Sequence, residues 1–103
     1  MIYLESIEQF KELKKQHTVY LFSADWCPDC RYLEPFLGEI EAMYPYMQFV
    51  YVDRDKFIDI CQAYNIYGIP SFVVYKNEQL VGTFISKFRK TKQEIIDFLE
   101  TVK

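Results

Sequence analysis

The sequence predicts one α/β domain over residues 1–103, with the element order β-α-β-α-β-α-β-β-α, and three observations predict it. Short apolar runs rich in β-branched and aromatic residues recur at residues 19–22, 48–52 and 72–75, as strands require. Between the first two of these, residues 31–44 carry apolar residues at helical spacing, which makes a strand–helix–strand unit and hence two parallel strands. Two capping patterns, Ser6 with Gln9 and Thr91 with Glu94, mark a helix towards each end of the chain. Half the residues are apolar and 18% are aromatic, enough for one modest core and too apolar for disorder.

Taken in order, residues 2–4 read as a short first strand. Ser6 then caps a helix whose apolar face is Ile7, Phe10 and Leu13, with Lys14 and Lys15 in its last turn, where the dipole favours positive charge. His17, the only histidine, falls between elements and reads as a solvated helix-end residue. The central helix presents Leu33, Phe36, Leu37, Ile40 and Met43 on one face. Pro35 inside it should kink it, and Pro45 ends it. After the strand at 48–52 comes a charged turn, Asp53-Arg54-Asp55-Lys56, and a short helix over about 57–64. Cys61 in that helix reads as a small buried core residue. The strand at 72–75 pairs through Asn77-Glu78 with an antiparallel partner at 79–85. Because the turn lacks the favoured Asn-Gly, it is expected to be looser than a two-residue type I′ turn. Ile95, Phe98, Leu99 and Val102 form the buried face of the last helix.

The chemistry is concentrated in Ala24-Asp25-Trp26-Cys27-Pro28-Asp29-Cys30, which holds two of the three cysteines. Two thiols at CxxC spacing at a helix start can close a ring with each other or supply half of a metal site. The free N–H groups and dipole of the helix end favour an anion there, such as a thiolate. Cys27 as thiolate can attack a disulfide, and Cys30 can then resolve the mixed disulfide intramolecularly.

Trp26-Cys27-x-x-Cys30, Pro35 five residues later, and Gly68-Ile69-Pro70-Ser71 before a hairpin and a final helix together resemble the thioredoxin family over essentially the whole chain. The Trp-Cys-Pro-Asp-Cys variant is similar to that of a cytosolic thioredoxin-related group. The resemblance implies a thioredoxin fold, a central mixed sheet of about five strands flanked by four helices. It makes Cys27 the nucleophile and the more exposed thiol, Cys30 the buried resolving thiol, and Pro70 a cis-proline packed against the pair. Ile69 would offer backbone hydrogen bonds to an extended substrate, and Trp26 would be part of the docking surface. It further implies disulfide-containing protein or small-thiol substrates, no bound cofactor, and electrons from a flavoprotein thioredoxin reductase or a small-thiol pool.

Several positions depart from the family pattern. The usual buried aspartate falls at Leu21 and its lysine partner at Phe49, so water or a nearby carboxylate must take the Cys30 proton. Glu34 is one such carboxylate, although it reads better as a solvated charge. Pro28, Asp29 and Arg31 are expected to tune Cys27. Pro28 removes an N–H, Asp29 opposes a second anion, and Arg31 acts the other way. The net expectation is a reducing protein. Glu78 and Ser86 stand where the family often has glycine, and the basic run Lys87, Arg89, Lys90 that follows reads as a solvated rim.

The formal charge of −3 gives no reason to expect nucleic acid or an anionic membrane as partner. No apolar run reaches membrane-spanning length. The N-terminal residues lack a charged and a long apolar segment of the secretory type, so a cytoplasmic, monomeric protein is expected. In that compartment a close cysteine pair is more often catalytic or metal-binding than a structural staple. The reading is therefore a thiol–disulfide oxidoreductase. Its alternatives are a binding or adaptor module in which the cysteines are dispensable, and a zinc or iron–sulfur site, for which one CxxC supplies too few ligands.

Overall fold

The computed structural model describes all 103 residues. The elements run β1 Ile2–Tyr3, α1 Ile7–Leu13, β2 Thr18–Ser23, α2 Pro28–Met43, β3 Gln48–Asp53, α3 Ile58–Ala63, β4 Ser71–Lys76, β5 Gln79–Phe84 and α4 Lys92–Val102. The strands form one five-stranded sheet in the order β1-β3-β2-β4-β5. β3 lies parallel to both β1 and β2, while β4 runs antiparallel to β2 and β5. The mixed sheet and the element order agree with the expectation from the sequence.

Alternation along the strands sends side chains to two separate cores. Tyr20, Phe22, Val50, Val52, Val73 and Tyr75 meet Phe10 of α1 and Ile60 and Cys61 of α3 on one face. Val19, Leu21, Phe49, Phe72 and Val74 meet Leu33 and Ile40 of α2 and Ile95, Leu99 and Val102 of α4 on the other. β2 is buried at every residue, as a central strand covered on both faces must be. Its C-terminal end is therefore a fixed point from which the CxxC segment departs.

Local details correct several expectations. α2 begins three residues earlier than the periodicity suggested, because Cys27 rather than a hydroxyl residue is its N-cap and Pro28 opens its first turn. Pro35 lies within α2 without ending it, and Met43 is exposed. At α1, Ser6 accepts from Gln9 N–H at 3.1 Å, but the Gln9 amide oxygen accepts from Glu5 N–H at 2.7 Å, one residue outside a reciprocal capping box. The box at α4 is complete: Thr91 Oγ1 accepts from Glu94 N–H, and Glu94 Oε1 accepts from Thr91 N–H. His17 is half-buried rather than solvated. Its Nε2 lies 2.9 Å from the Val102 carbonyl oxygen, where it ties the start of β2 to the end of α4. Burial lowers its pKa.

Candidate active site

The chain leaves β2 at Ser23 and turns at Ala24, whose carbonyl accepts from Cys27 N–H at 3.2 Å. Cys27 has an extended backbone (φ −82°, ψ 114°), and its Sγ accepts from Cys30 N–H at 3.2 Å. The sulfur thus does the work of a capping oxygen at the positive end of a helix of 16 residues. The same Sγ, as a thiol, donates to the Ile69 carbonyl at 3.8 Å. The Ile69–Pro70 peptide bond is cis. Cys27 is thereby held between a helix terminus and a backbone edge, and Ala24, Cys27, Cys30 and Ile69 form one small apolar cluster.

Cys27 is 4% and Cys30 2% exposed. Cys27 is thus the more exposed thiol by a small margin only, and both are buried where Ala24 and Ile69 pack with them. All three cysteines are free thiols. Burial pushes the Cys30 thiol up to about 12, and the neighbouring Cys27 adds to the rise; the Ser23 hydroxyl and the Ala24 backbone act against it. Cys61 is buried in the other core, away from the pair, and burial raises its pKa too.

The other predicted residues divide by position. Trp26 is 58% exposed, donates its indole N–H to Asp55 Oδ2 at 2.7 Å, and lies under the Arg54 guanidinium. Ile69 is half-buried and Pro70 buried. Pro28 occupies the first position of α2, where no N–H is needed. Asp29 does not stand as a free negative charge: Arg89 Nε donates to its Oδ1 at 2.9 Å. Arg31 donates to the Asp25 carbonyl at 3.1 Å. Glu34 is exposed.

The loop after β5 closes one side of the site. A Cβ on Gly68 would come within 2.3 Å of Lys87 Cα and 2.5 Å of the Ser86 carbonyl oxygen, so only glycine permits this approach. Tyr67 and Phe88, on the two segments that meet there, are both highly exposed, and the Tyr67 hydroxyl donates to the Ile85 carbonyl at 3.4 Å. The expectation of a solvated basic rim fails at Lys90, which is 1% exposed. The sequence carried a signal for it: Lys90 directly precedes the N-cap Thr91, the position whose side chain folds inwards onto the fourth residue of the helix. Ser23 was also overlooked, as its place beside Cys30 depends on the face of β2 it occupies. No group of three or more His, Cys, Asp or Glu side chains is gathered to hold a metal ion.

Comparison with known proteins follows this geometry. The thioredoxin family model matches residues 2–101. The chain is 34% identical over 79 residues to mitochondrial thioredoxin-2 of Schizosaccharomyces pombe, a match covering 77% of this chain and 59% of that protein. It is 34% identical over 84 residues to thioredoxin-2 of Pyricularia oryzae, covering 80% of this chain and 49% of that one. The chain thus spans between about half and three-fifths of the length of these two relatives. Among solved structures, thioredoxin from Plasmodium falciparum superposes with a TM-score of 0.88 at 27% identity, covering both chains completely. Oxidised mitochondrial thioredoxin 3 from Saccharomyces cerevisiae gives 0.85 at 28% identity, covering 97% of this chain and 93% of that one.

Proposed function

Because this chain belongs to the thioredoxin family, we propose that it is a thiol–disulfide oxidoreductase, acting as a cytoplasmic, monomeric reductase of protein or low-molecular-weight disulfides through a single domain spanning residues 1–103. The observation that carries this reading is the placement of Cys27 Sγ between the N–H of Cys30 and the carbonyl of Ile69. A nucleophile there meets an anion-favouring helix end on one side and the backbone carbonyl before a cis-proline on the other.

The proposed cycle balances in two exchanges. Cys27, as thiolate, attacks one sulfur of the substrate disulfide; the Cys27–substrate bond forms, and the other substrate sulfur leaves and takes a proton. Cys30 loses its proton to solvent and attacks Cys27. The Cys27–Cys30 bond forms and the second substrate sulfur leaves. The substrate gains two electrons, which the dithiol loses and which a flavoprotein thioredoxin reductase or a small-thiol pool restores. Trp26, Ile69 and Pro70 line the docking edge. The dithiol is itself the redox centre, so the cycle calls on no cofactor. Asp29 tunes Cys27 less than its charge suggests, since Arg89 pairs with it. With no helix long and apolar enough to cross a membrane and a mildly acidic sequence, neither a membrane nor nucleic acid is called on as partner.

Equilibration with a defined thiol buffer tests this. The expected Cys27–Cys30 potential is about −270 mV or lower, and Cys30→Ser should trap a mixed disulfide on Cys27. A potential near about −120 mV would mean an oxidant instead. Failure to form the disulfide, with the protein's cellular role surviving Cys27→Ser, would make it a binding module. Fractionation of the cells that make it tests the compartment.

A further inference from the structure

The loop after β5 is held against both halves of the candidate site. At one end its backbone lies on Gly68, where a Cβ would come within 2.3 Å of Lys87 Cα and 2.5 Å of the Ser86 carbonyl oxygen. Lys90 then folds the loop on itself, donating to Ser86 Oγ at 3.0 Å, the Phe88 carbonyl at 3.1 Å and the Ser86 carbonyl at 3.3 Å. Lys90 is buried and Arg89 is exposed, so one side chain leaves the loop inwards and the one before it leaves outwards. Arg89 is thereby carried to the first turn of α2.

There it has two footholds. Its Nε donates to Asp29 Oδ1 at 2.9 Å, and its guanidinium lies 4.5 Å from the centre of the Tyr32 ring. Residues three apart share a helix face, and a planar guanidinium can pair with a carboxylate while it stacks on a ring. Asp29 and Arg89 keep 34% and 54% of their side-chain surface, and ion pairs so exposed add little to stability. The consequence lies with the neighbouring sulfur. Asp29 stands between the two cysteines, in the turn where Cys30 N–H donates to Cys27 Sγ at 3.2 Å. A bare carboxylate in that turn would oppose an anion at the same helix end. Arg31, in the same turn, is engaged elsewhere and donates to the Asp25 carbonyl at 3.1 Å. The cation that meets Asp29 therefore comes from 60 positions away.

We propose that Arg89 is a positioning residue of the redox site, which straps the loop after β5 onto α2 and masks the Asp29 charge beside the Cys27 nucleophile. The inference rests on the reading of Cys27 as that nucleophile. Arg89 acts through Asp29 and not on the sulfur itself, so its effect on Cys27 depends on the Asp29 charge.

Alkylation of Cys27 by the uncharged reagent iodoacetamide, with the modified cysteine identified by mass spectrometry, reads that effect. Arg89 is exposed, so Arg89→Met leaves both cores intact. At neutral pH and low salt it should slow the reaction about threefold, as a unit charge within a helical turn does in water-like surroundings. The slowing should vanish near 1 M salt, where charges are screened within about 3 Å. Adding Asp29→Asn to Arg89→Met should restore the rate. A slowing that survives either high salt or Asp29→Asn would mean a packing role for the loop and would overturn the proposal. Wild-type reactivity in Arg89→Met at low salt would overturn it equally. A wild-type Cys27 no more reactive than Cys61 would instead overturn the oxidoreductase reading, and this inference with it.

Discussion

Cys30 sits in a place that suits a neutral thiol, whereas the proposed cycle has it become an anion once per turnover. Burial pushes its pKa up to about 12 from the ordinary 9.0 of a free thiol. The consequence for stability has a definite sign. A group whose folded pKa is raised contributes fully below its unfolded pKa, and that contribution is lost as pH rises towards the folded value. The reduced protein should therefore lose stability between about pH 9 and pH 12. The oxidised protein has no thiol at Cys30 and should lack this component. Denaturant titrations of both forms across this range isolate it, since ionisation of the buried tyrosines is common to the two. Parallel pH curves would show that Cys30 is not desolvated as described. His17 shifts in the opposite sense for a related reason: burial disfavours its charged form.

At the scale of elements, the turn between β4 and β5 shows how a structure overrules turn statistics. Asn77 and Glu78 both have positive φ, 53° and 67°, and Lys76 pairs with Gln79. The connection is thus a two-residue turn with both central residues left-handed, as type I′ requires, not the looser loop its composition suggests. It is held from outside: Glu78 N–H donates to the Lys14 carbonyl at 2.8 Å, just past the end of α1. A glutamate in this conformation bears a steric cost that glycine avoids. Glu78→Gly should stabilise the protein by about 1 kcal/mol in chemical denaturation, while leaving the redox potential unchanged. A destabilised variant would show that the Glu78 side chain contributes more than its backbone costs.

The whole molecule brings together three segments far apart in sequence: the start of α2, the Gly68–Pro70 edge and the loop after β5. Their meeting point is Gly68, against Ser86 and Lys87. Gly68→Ala should force those backbones apart, costing about 1–3 kcal/mol as overpacking does. It should also slow disulfide exchange by more than the lost stability explains, because Ile69 O is the partner of Cys27 Sγ. Exchange kinetics on the fully folded variant check this, and wild-type rates would separate the loop from the site. The sheet provides the rigidity that makes such placement possible, with β2 buried along its entire length and covered by helices on both faces.

Much of this was legible in the chain itself. The strands over residues 19–22, 48–52 and 72–75, the cap at Thr91, the CxxC pair and the Gly-Ile-Pro-Ser segment are all local patterns. Their causes, alternation, capping chemistry and thiol spacing, act within a few residues. The sequence by itself therefore determined the order of elements and the CxxC spacing of the candidate redox pair. Tertiary structure alone decided the near-equal burial of Cys27 and Cys30, the pairing of Asp29 with Arg89, and the turn geometry imposed through Lys14. It also decided that one lysine of a basic run is buried while its neighbours stay in water. These depend on contacts between residues as many as 60 positions apart. Charge and solvation are set by what surrounds a group in space, and local sequence carries no record of that.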